Sequence, residues 1–166
     1  MKLVVISDTH GGFAAVVQVV QQNRDADLFL FLGDCGREVE DLRCLEPQLP
    51  VRSVRGNCDW GSQEPDTGLL SLEGERIFFT HGHLLGVKSG LSGLLYEARR
   101  QGATIALYGH THMAQVQRVQ GLLVMNPGSL TRSPGARNSY GVLHLESGQV
   151  QAQVIPFAEK EETVWN

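Results

Sequence analysis

The chain has few cysteines, and the three it has, Cys35, Cys44 and Cys58, form no Cys-x-x-Cys pair. An odd, scattered set excludes a disulfide framework and a structural zinc finger, so reduced thiols are expected. Long apolar runs are also missing: none approaches the roughly 20 residues of a membrane span. Met1 to Ile6 leads straight into Ser7-Asp8 without the apolar stretch and cleavage site of a secretory signal, and the expectation is a cytoplasmic protein with no membrane partner. Basic residues are neither numerous nor clustered; 14 Lys and Arg stand against 18 Asp and Glu, for a net charge of -4. Without a basic footprint a nucleic-acid partner is not expected, whereas a small phosphate ester is compatible with this balance. There is no internal repeat, low-complexity tract or interdomain linker.

What is present suits one globular domain. An apolar content of 42% over 166 residues lets a chain of this size bury roughly two thirds of its unfolded surface. The expected organisation is a single domain over residues 1–157 and a charged tail over 158–166, on which Val164 and Trp165 are the candidates for docking on the body.

The early half alternates strand and helix. Lys2 to Ser7 is a β-branched run of the kind buried on both faces, and Phe13, Val16, Val17 and Val20 then recur at helical spacing over Phe13 to Asn23. Asp27 to Leu32 and Val51 to Arg55 repeat the strand pattern around a short helix, Glu38 to Leu45, closed by Pro47 and Pro50. From Gly68 the texture becomes hairpin-rich. Leu69 to Leu72 with Arg76 to Thr80, Ala114 to Val119 with Leu122 to Met125, and Ser139 to Leu145 with Val150 to Pro156 read as paired strands. Between them lie a helical face carried by Leu91, Leu94, Leu95 and Ala98 and a strand, Thr104 to Tyr108. This mixture predicts an α/β fold of two packed sheets with helices outside.

The polar residues fall at one kind of place. Six times an apolar strand runs into a short polar loop: Asp8/His10, Asp34, Asn57, His81, His110/His112, and Asn126 to Ser129. Ligands of α/β folds collect outside the carboxyl ends of strands, so these loops are expected to share one rim. Five of the six histidines lie there. The sixth, His144, sits within a strand, where a buried, hydrogen-bonded structural role is expected.

His110 and His112 are separated by one residue, and in extended chain residues i and i+2 point to the same side. Together with His10 and His81 they supply four imidazoles, and Asp8, Asp34 and Asn57 add oxygen ligands. That is more than one tetrahedral ion requires and suits two, with a carboxylate shared between them. Nitrogen and oxygen donors without thiolate favour manganese, iron, cobalt, nickel or zinc. Two such ions activate water and neutralise charge on a phosphoryl oxygen, so hydrolysis of a phosphate ester is the reaction implied.

The ordered series Asp8-x-His10, Gly33-Asp34, Gly56-Asn57-Cys58-Asp59, Thr80-His81-Gly82-His83 and Gly109-His110-Thr111-His112 resembles the calcineurin-like metallophosphoesterases, and in particular their small stand-alone bacterial and archaeal phosphodiesterase branch. The resemblance covers almost the whole chain. It implies a four-layer α/β/β/α sandwich of two mixed β-sheets flanked by helices, with a dinuclear site. Asp8, His10 and His112 would hold one metal, Asn57, His81 and His110 the other, and Asp34 would bridge; Asp34, Asn57 and His81 would also carry the catalytic roles. Manganese is the foremost expectation for both ions, with nickel, cobalt, iron or zinc as alternatives. The branch further implies a homodimer or homotetramer.

One position departs from the wider superfamily, which usually has histidine where this chain has Cys58. A neutral thiol is a poor general acid beside an imidazolium. Cys58, His83 and Arg132 are the candidate substrate contacts, with Arg137 a further one; Asp59 is expected to bond local backbone; and the loop from Leu84 to Gly93 is expected to border the cleft. Two other readings share the fold: a phosphomonoesterase using the same metals, and a scaffold, since the retromer complex contains a subunit resembling this architecture that works chiefly through protein contacts.

Overall fold

The computed structural model describes residues 1–132, Gly135 and residues 137–158. Apart from Ala158, the tail anticipated from residue 158 onward, including Val164 and Trp165, lies outside the described residues. Ten strands and three α-helices follow in the order β1 (Lys2–Ile6), α1 (Phe13–Gln22), β2 (Leu28–Phe31), α2 (Gly36–Leu45), β3 (Val51–Ser53), β4 (Thr67–Leu72), β5 (Glu75–Thr80), α3 (Ser92–Arg100), β6 (Ile105–Leu107), β7 (Gln115–Val119), β8 (Leu122–Asn126), β9 (Ser139–Glu146) and β10 (Gln149–Pro156). A short 3-10 helix, His83–Leu85, precedes α3.

The strands make two five-stranded sheets, β10-β9-β1-β2-β3 and β4-β5-β6-β8-β7. In the first, β1, β2 and β3 are mutually parallel and β9 and β10 run antiparallel. In the second, β5, β6 and β8 form the parallel set, flanked by antiparallel β4 and β7. The continuously apolar strands β1, β2, β6 and β8 are among the parallel ones and are covered on both faces.

Alternation along these strands builds three apolar layers. Leu3, Val5 and Leu30 of the first sheet meet Ile77, Phe79 and Leu107 of the second between the sheets. Their neighbours Val4, Ile6, Phe29 and Phe31 face outward under α1 and α2, packing on Val16, Val20 and Leu42. On the far side Phe78, Ala106 and Val124 are covered by Leu94 and Ala98 of α3. The expected order of layers, helix, sheet, sheet, helix, is the observed one.

One expectation needs correction. His144 is exposed, not buried; it shares a face of β9 with Tyr140 and Val142, but at the strand end where helix cover has run out. In the loop from Leu84 to Gly93, Val87 is anchored in the core outside the second sheet, and Lys88 lies close enough to His110 and His112 to act on both electrostatically. Phe31 is wholly buried, and Phe31→Ala is expected to lower unfolding free energy by about 3–5 kcal/mol. His144→Ala should stay within about 0.5 kcal/mol, both read by urea denaturation.

Candidate metal centre

All six parallel strands end at one rim, where backbone bonds tie neighbouring strand ends within each sheet and, from Leu130 to Ser7, between the sheets. The Gly109 amide donates to the His81 carbonyl, the Asp8 amide to the Gly33 carbonyl and the Leu130 amide to the Ser7 carbonyl. The chain then turns sharply so that side chains face back into the gap. Asp8, His10, Asp34, His110 and His112 all have positive φ, between 43° and 68°, a left-handed conformation that is uncommon for residues other than glycine and concentrates at functional sites. The remaining non-glycine cases among the described residues, Glu73, Gln120 and Ser147, each precede a glycine in a hairpin turn.

Two glycines are demanded by close approach. A Cβ at Gly109 would lie 2.0 Å from Ser7 Oγ, and one at Gly56 would lie 2.1 Å from Asp34 Oδ1. In both places the missing side chain is the room that a carboxylate or its supporting hydroxyl occupies.

The candidate donors gather in two groups. His112 Nε2 lies 3.1 Å from Asp8 Oδ1 and 3.2 Å from His10 Nε2, and His10 Nε2 lies 3.8 Å from Asp8 Oδ1. In the second group His81 Nε2 is 3.1 Å from Asn57 Oδ1 and 3.1 Å from His110 Nδ1. Asp34 Oδ2 stands between them, 3.9 Å from His10 Nε2 and 3.6 Å from His81 Nε2. Thus His110 and His112, one residue apart in sequence, go to different groups.

In His81, His112, Asp8 and Asp34 the other polar atom is already committed. His81 Nδ1 donates to the Leu32 carbonyl at 2.8 Å and His112 Nδ1 to the Arg132 carbonyl at 2.7 Å. A carbonyl only accepts, so in the neutral rings the Nε2 atoms carry lone pairs. Asp8 Oδ2 receives the Ser7 hydroxyl and the His110 amide, whereas buried Asp8 Oδ1 has no hydrogen-bond donor. Asp34 Oδ1 receives the Cys58 amide at 2.8 Å. What remains is a set of lone pairs pointing at one another, which only positive charge relieves.

The spacing fits divalent cations. An ion about 2.1 Å from each of four tetrahedral ligands separates those ligands by roughly 3.4 Å, close to the 3.1–3.9 Å found here. Asp8, His10 and His112 offer ligand atoms within one such volume, as do Asp8, Asp34 and His81.

The electrostatics point the same way. Burial works to raise the Asp8 carboxyl, but His112, His81 and the Ser7 hydroxyl outweigh it and hold the group below its ordinary value. The Asp8 carboxylate lifts His112 above the ordinary imidazole range. Burial, aided by His81, pushes His110 down to about 4, and the same two causes lower His83. The lowered His110 is neutral and ready to ligate a metal, whereas the proton that Asp8 favours on His112 is one a bound cation would displace.

The candidate substrate contacts separate. Cys58 Sγ comes within 4.8 Å of ligand atoms of His10 and Asp34, and burial followed by the Asp34 carboxylate pushes its thiol up to about 11. His83 stacks near His81 and His110, with ring centroids 5.3 and 6.1 Å away, and its buried Nδ1 lacks a hydrogen-bond partner. Arg132 lines a cleft of about 670 Å³ that opens from His10 and Asp34. Arg137 is exposed and does not line this cleft.

Three residues position these loops: Glu38 is unmarked in the sequence and Asp59 does more than expected, while Asn126 belongs to a turn expected at the rim. Asp59 bonds not merely local backbone: its carboxylate receives the amides of Asp34, Gly36 and Gly56 at 2.7–2.8 Å, clamping the loop after β2 to the loop after β3. Buried Glu38 receives the Thr9 hydroxyl and the Gly11 amide, holding the loop that carries His10. Asn126 donates to the Gly109 carbonyl and Thr111 hydroxyl and accepts from the Gly128 amide, so the turn at Asn126 to Ser129 does shape the His110–His112 loop.

The family model of the calcineurin-like phosphoesterase superfamily domain matches residues 1–148. YsnB of Bacillus subtilis, named as a metallophosphoesterase, is 36% identical over 150 residues, covering 89% of this chain and 86% of its own. The phosphodiesterase YfcE of Escherichia coli is 30% identical over 170 aligned positions, covering 86% and 87%. The zinc complex of Vps29 from Entamoeba histolytica superposes with a TM-score of 0.74 at 25% identity, over 95% of this chain and 100% of that one.

Loss of the Asp59 clamp is expected to be felt in the fold and in the site together. Asp59→Ala should lower unfolding free energy by about 2–4 kcal/mol, since hydrogen bonds to an ionised acceptor are the strong ones. The same variant should weaken metal uptake, measured by calorimetric titration with Mn²⁺.

Proposed function

Because the chain belongs to the calcineurin-like phosphoesterase superfamily, we propose that it is a dinuclear, divalent-metal-dependent phosphodiesterase acting on a small phosphate ester. The observation that carries this reading is Asp34 Oδ2 lying between two groups of donors whose lone pairs converge. Asp8, His10 and His112 would hold one ion and Asn57, His81 and His110 the other, with Asp34 shared. Manganese is the first choice for both. Such ions, when bound, supply a nucleophile from water near neutral pH and neutralise charge on the phosphoryl oxygens.

The chain's own contribution is orientation and exclusion. Leu32 and Arg132 carbonyls fix the tautomers of His81 and His112, so each presents Nε2 to the centre. The Cys58 amide holds Asp34 Oδ1 and thereby aims Oδ2. Arg132 at the cleft wall is placed to meet a phosphate oxygen. Burial and the Asp34 carboxylate push the Cys58 thiol up to about 11, against its ionising to a nucleophile. As an acid it is weak, so the leaving group must depart with little help.

The likeness to Vps29, a protein named for vacuolar sorting, fits a competing reading as an interaction scaffold. What favours an enzyme is that all seven donors are present and mutually facing. Activity on diesters over monoesters is supported by the name of YfcE and is open to direct test. The Mn²⁺-reconstituted protein is expected to hydrolyse bis(p-nitrophenyl) phosphate faster than p-nitrophenyl phosphate and to lose turnover on chelation. No activity with manganese, nickel, cobalt or zinc would overturn the enzyme reading.

Asp34→Asn should reduce turnover at least about 1,000-fold, with metal content measured on the same preparation; survival of activity would remove Asp34 from its bridging role. Cys58→His should raise kcat on an alkyl diester about 100-fold by supplying a better acid, with little gain on a nitrophenyl ester.

A further inference from the structure

The cleft that opens from the candidate metal centre has a feature the phosphoryl chemistry does not use. Trp60 lines it with 91% of its surface exposed. Large indoles are usually mostly buried, so one held this far out in a cleft calls for an occupant. Nor is the ring on a loose loop. The Ser62 amide donates to the Asp59 carbonyl, making Trp60 and Gly61 the corner of a tight turn, with Gly61 at φ 77°. Asp59 is the residue whose carboxylate is tied to three backbone amides. The indole is therefore presented by the same clamp that positions Asp34.

Across the lining, the charges are mixed. Arg132 lies at the end shared with His10 and Asp34, while the first turns of α2 contribute Arg37, Glu40 and Asp41. Arg37 sits 4.0 Å from Asp41, and this pair adds no net positive charge. A second phosphate has no excess of cations to receive it at that wall. A flat uncharged ring does have a partner, and the volume of about 670 Å³ is that of a cleft for a small organic ligand.

We propose that this cleft seats the arm of the substrate that is not displaced, and that the arm carries a nucleobase: the substrate is a small nucleotide phosphodiester whose base stacks on Trp60 while its phosphate lies at His10 and Asp34. The inference rests on the phosphodiesterase reading for the chemistry, and on Trp60, Asp59 and the mixed-charge wall for the substrate. Stacking of a base on an aromatic side chain contributes about 1–3 kcal/mol, roughly 5- to 150-fold in affinity.

Binding is tested without turnover. Trp60 and Trp165 are the two tryptophans of the chain, so in Trp165→Phe protein the fluorescence reports Trp60 alone. Adenosine 5′-monophosphate is expected to quench it. By calorimetry on metal-loaded protein the same nucleotide should bind about tenfold tighter than ribose 5-phosphate, which lacks only the base. Trp60→Phe should keep most of that ratio and Trp60→Leu should abolish it, separating stacking from mere apolar contact. Equal affinity for the two phosphates, or a ratio untouched by Trp60→Leu, overturns the proposal.

A kinetic arm separates it from the reading beneath it. Thymidine 5′-(p-nitrophenyl phosphate) and methyl p-nitrophenyl phosphate share a leaving group and differ only in the other arm. The nucleoside ester should have about tenfold higher kcat/KM, and Trp60→Leu should collapse the ratio. Hydrolysis of both at equal kcat/KM overturns the nucleobase seat while sparing the phosphodiesterase. Base-dependent binding with no hydrolysis of either ester overturns the phosphodiesterase and leaves the seat.

Discussion

A carboxylate oxygen that must approach imidazoles from two different sheets is the constraint on which this structure depends. Asp34 leaves β2 of the first sheet and brings Oδ2 to 3.9 Å from His10 of that sheet and 3.6 Å from His81 of the other. The second sheet can approach the first that closely at the carboxyl ends because Gly109 carries no side chain, and within the first sheet Gly56 leaves the room that Asp34 Oδ1 occupies. The chain must also reverse at once after each strand, which it does by placing Asp8, His10, Asp34, His110 and His112 in the left-handed region. Such conformations cost of order 1 kcal/mol each for residue types that tolerate them. Five together consume a sizeable part of a net stability of about 5–15 kcal/mol. Three apolar layers offset that cost, and an ion bound among the donors would add its own binding energy to the fold.

Much of this was legible because parallel strands write themselves plainly. A strand buried on both faces must be continuously apolar, so Lys2–Ile6, Leu28–Phe31 and Ile105–Leu107 stand out, and the polar residues that interrupt each run mark where the sheet ends. That ligands collect at those ends is a property of the topology, which is why Asp8, Asp34, His81 and His110 could be grouped from spacing alone. The sequence pattern also carries the two-sheet arrangement, through the change from alternation with helices to hairpins.

What escaped has an equally physical cause. Glu38 lies in a helix where acidic residues are ordinary, and nothing in its neighbours betrays that the carboxylate turns inward to Thr9 and Gly11. Asp59 looks like a residue that caps its own turn; that it reaches Asp34 and Gly36 is a matter of how β2 and β3 lie side by side. His144 was misjudged because alternation assigns it to a face but not to a place along the strand, and only the end of the helical layer exposes it. Arg132 and Arg137 are chemically equivalent in sequence, yet one lines the cleft and the other does not. Distances between loops are set by packing, and single-sequence patterns do not encode them.

The candidate centre also has an asymmetry that bears on how rate is achieved. Around the candidate centre donors are abundant, and Asp8, Asp34, His81 and His112 are each held by a second bond, so electrostatic preorganisation is strong. On the proposed reading the leaving group meets the Cys58 thiol, pushed up to about 11, which offers little protonation. An enzyme built this way gains least from acid catalysis and most from fixing the phosphorus in line with the attacking oxygen. Fixing requires contact with parts of the substrate that do not react, because only such remote interactions can hold orientation through the transition state. On the proposed reading an indole carried on the Asp59 turn that also braces Asp34 joins substrate position to ligand position through one carboxylate. Movement of that turn would then disturb the reacting geometry and the grip on the substrate together, which makes Asp59 the mechanical link between binding and chemistry on the proposed reading.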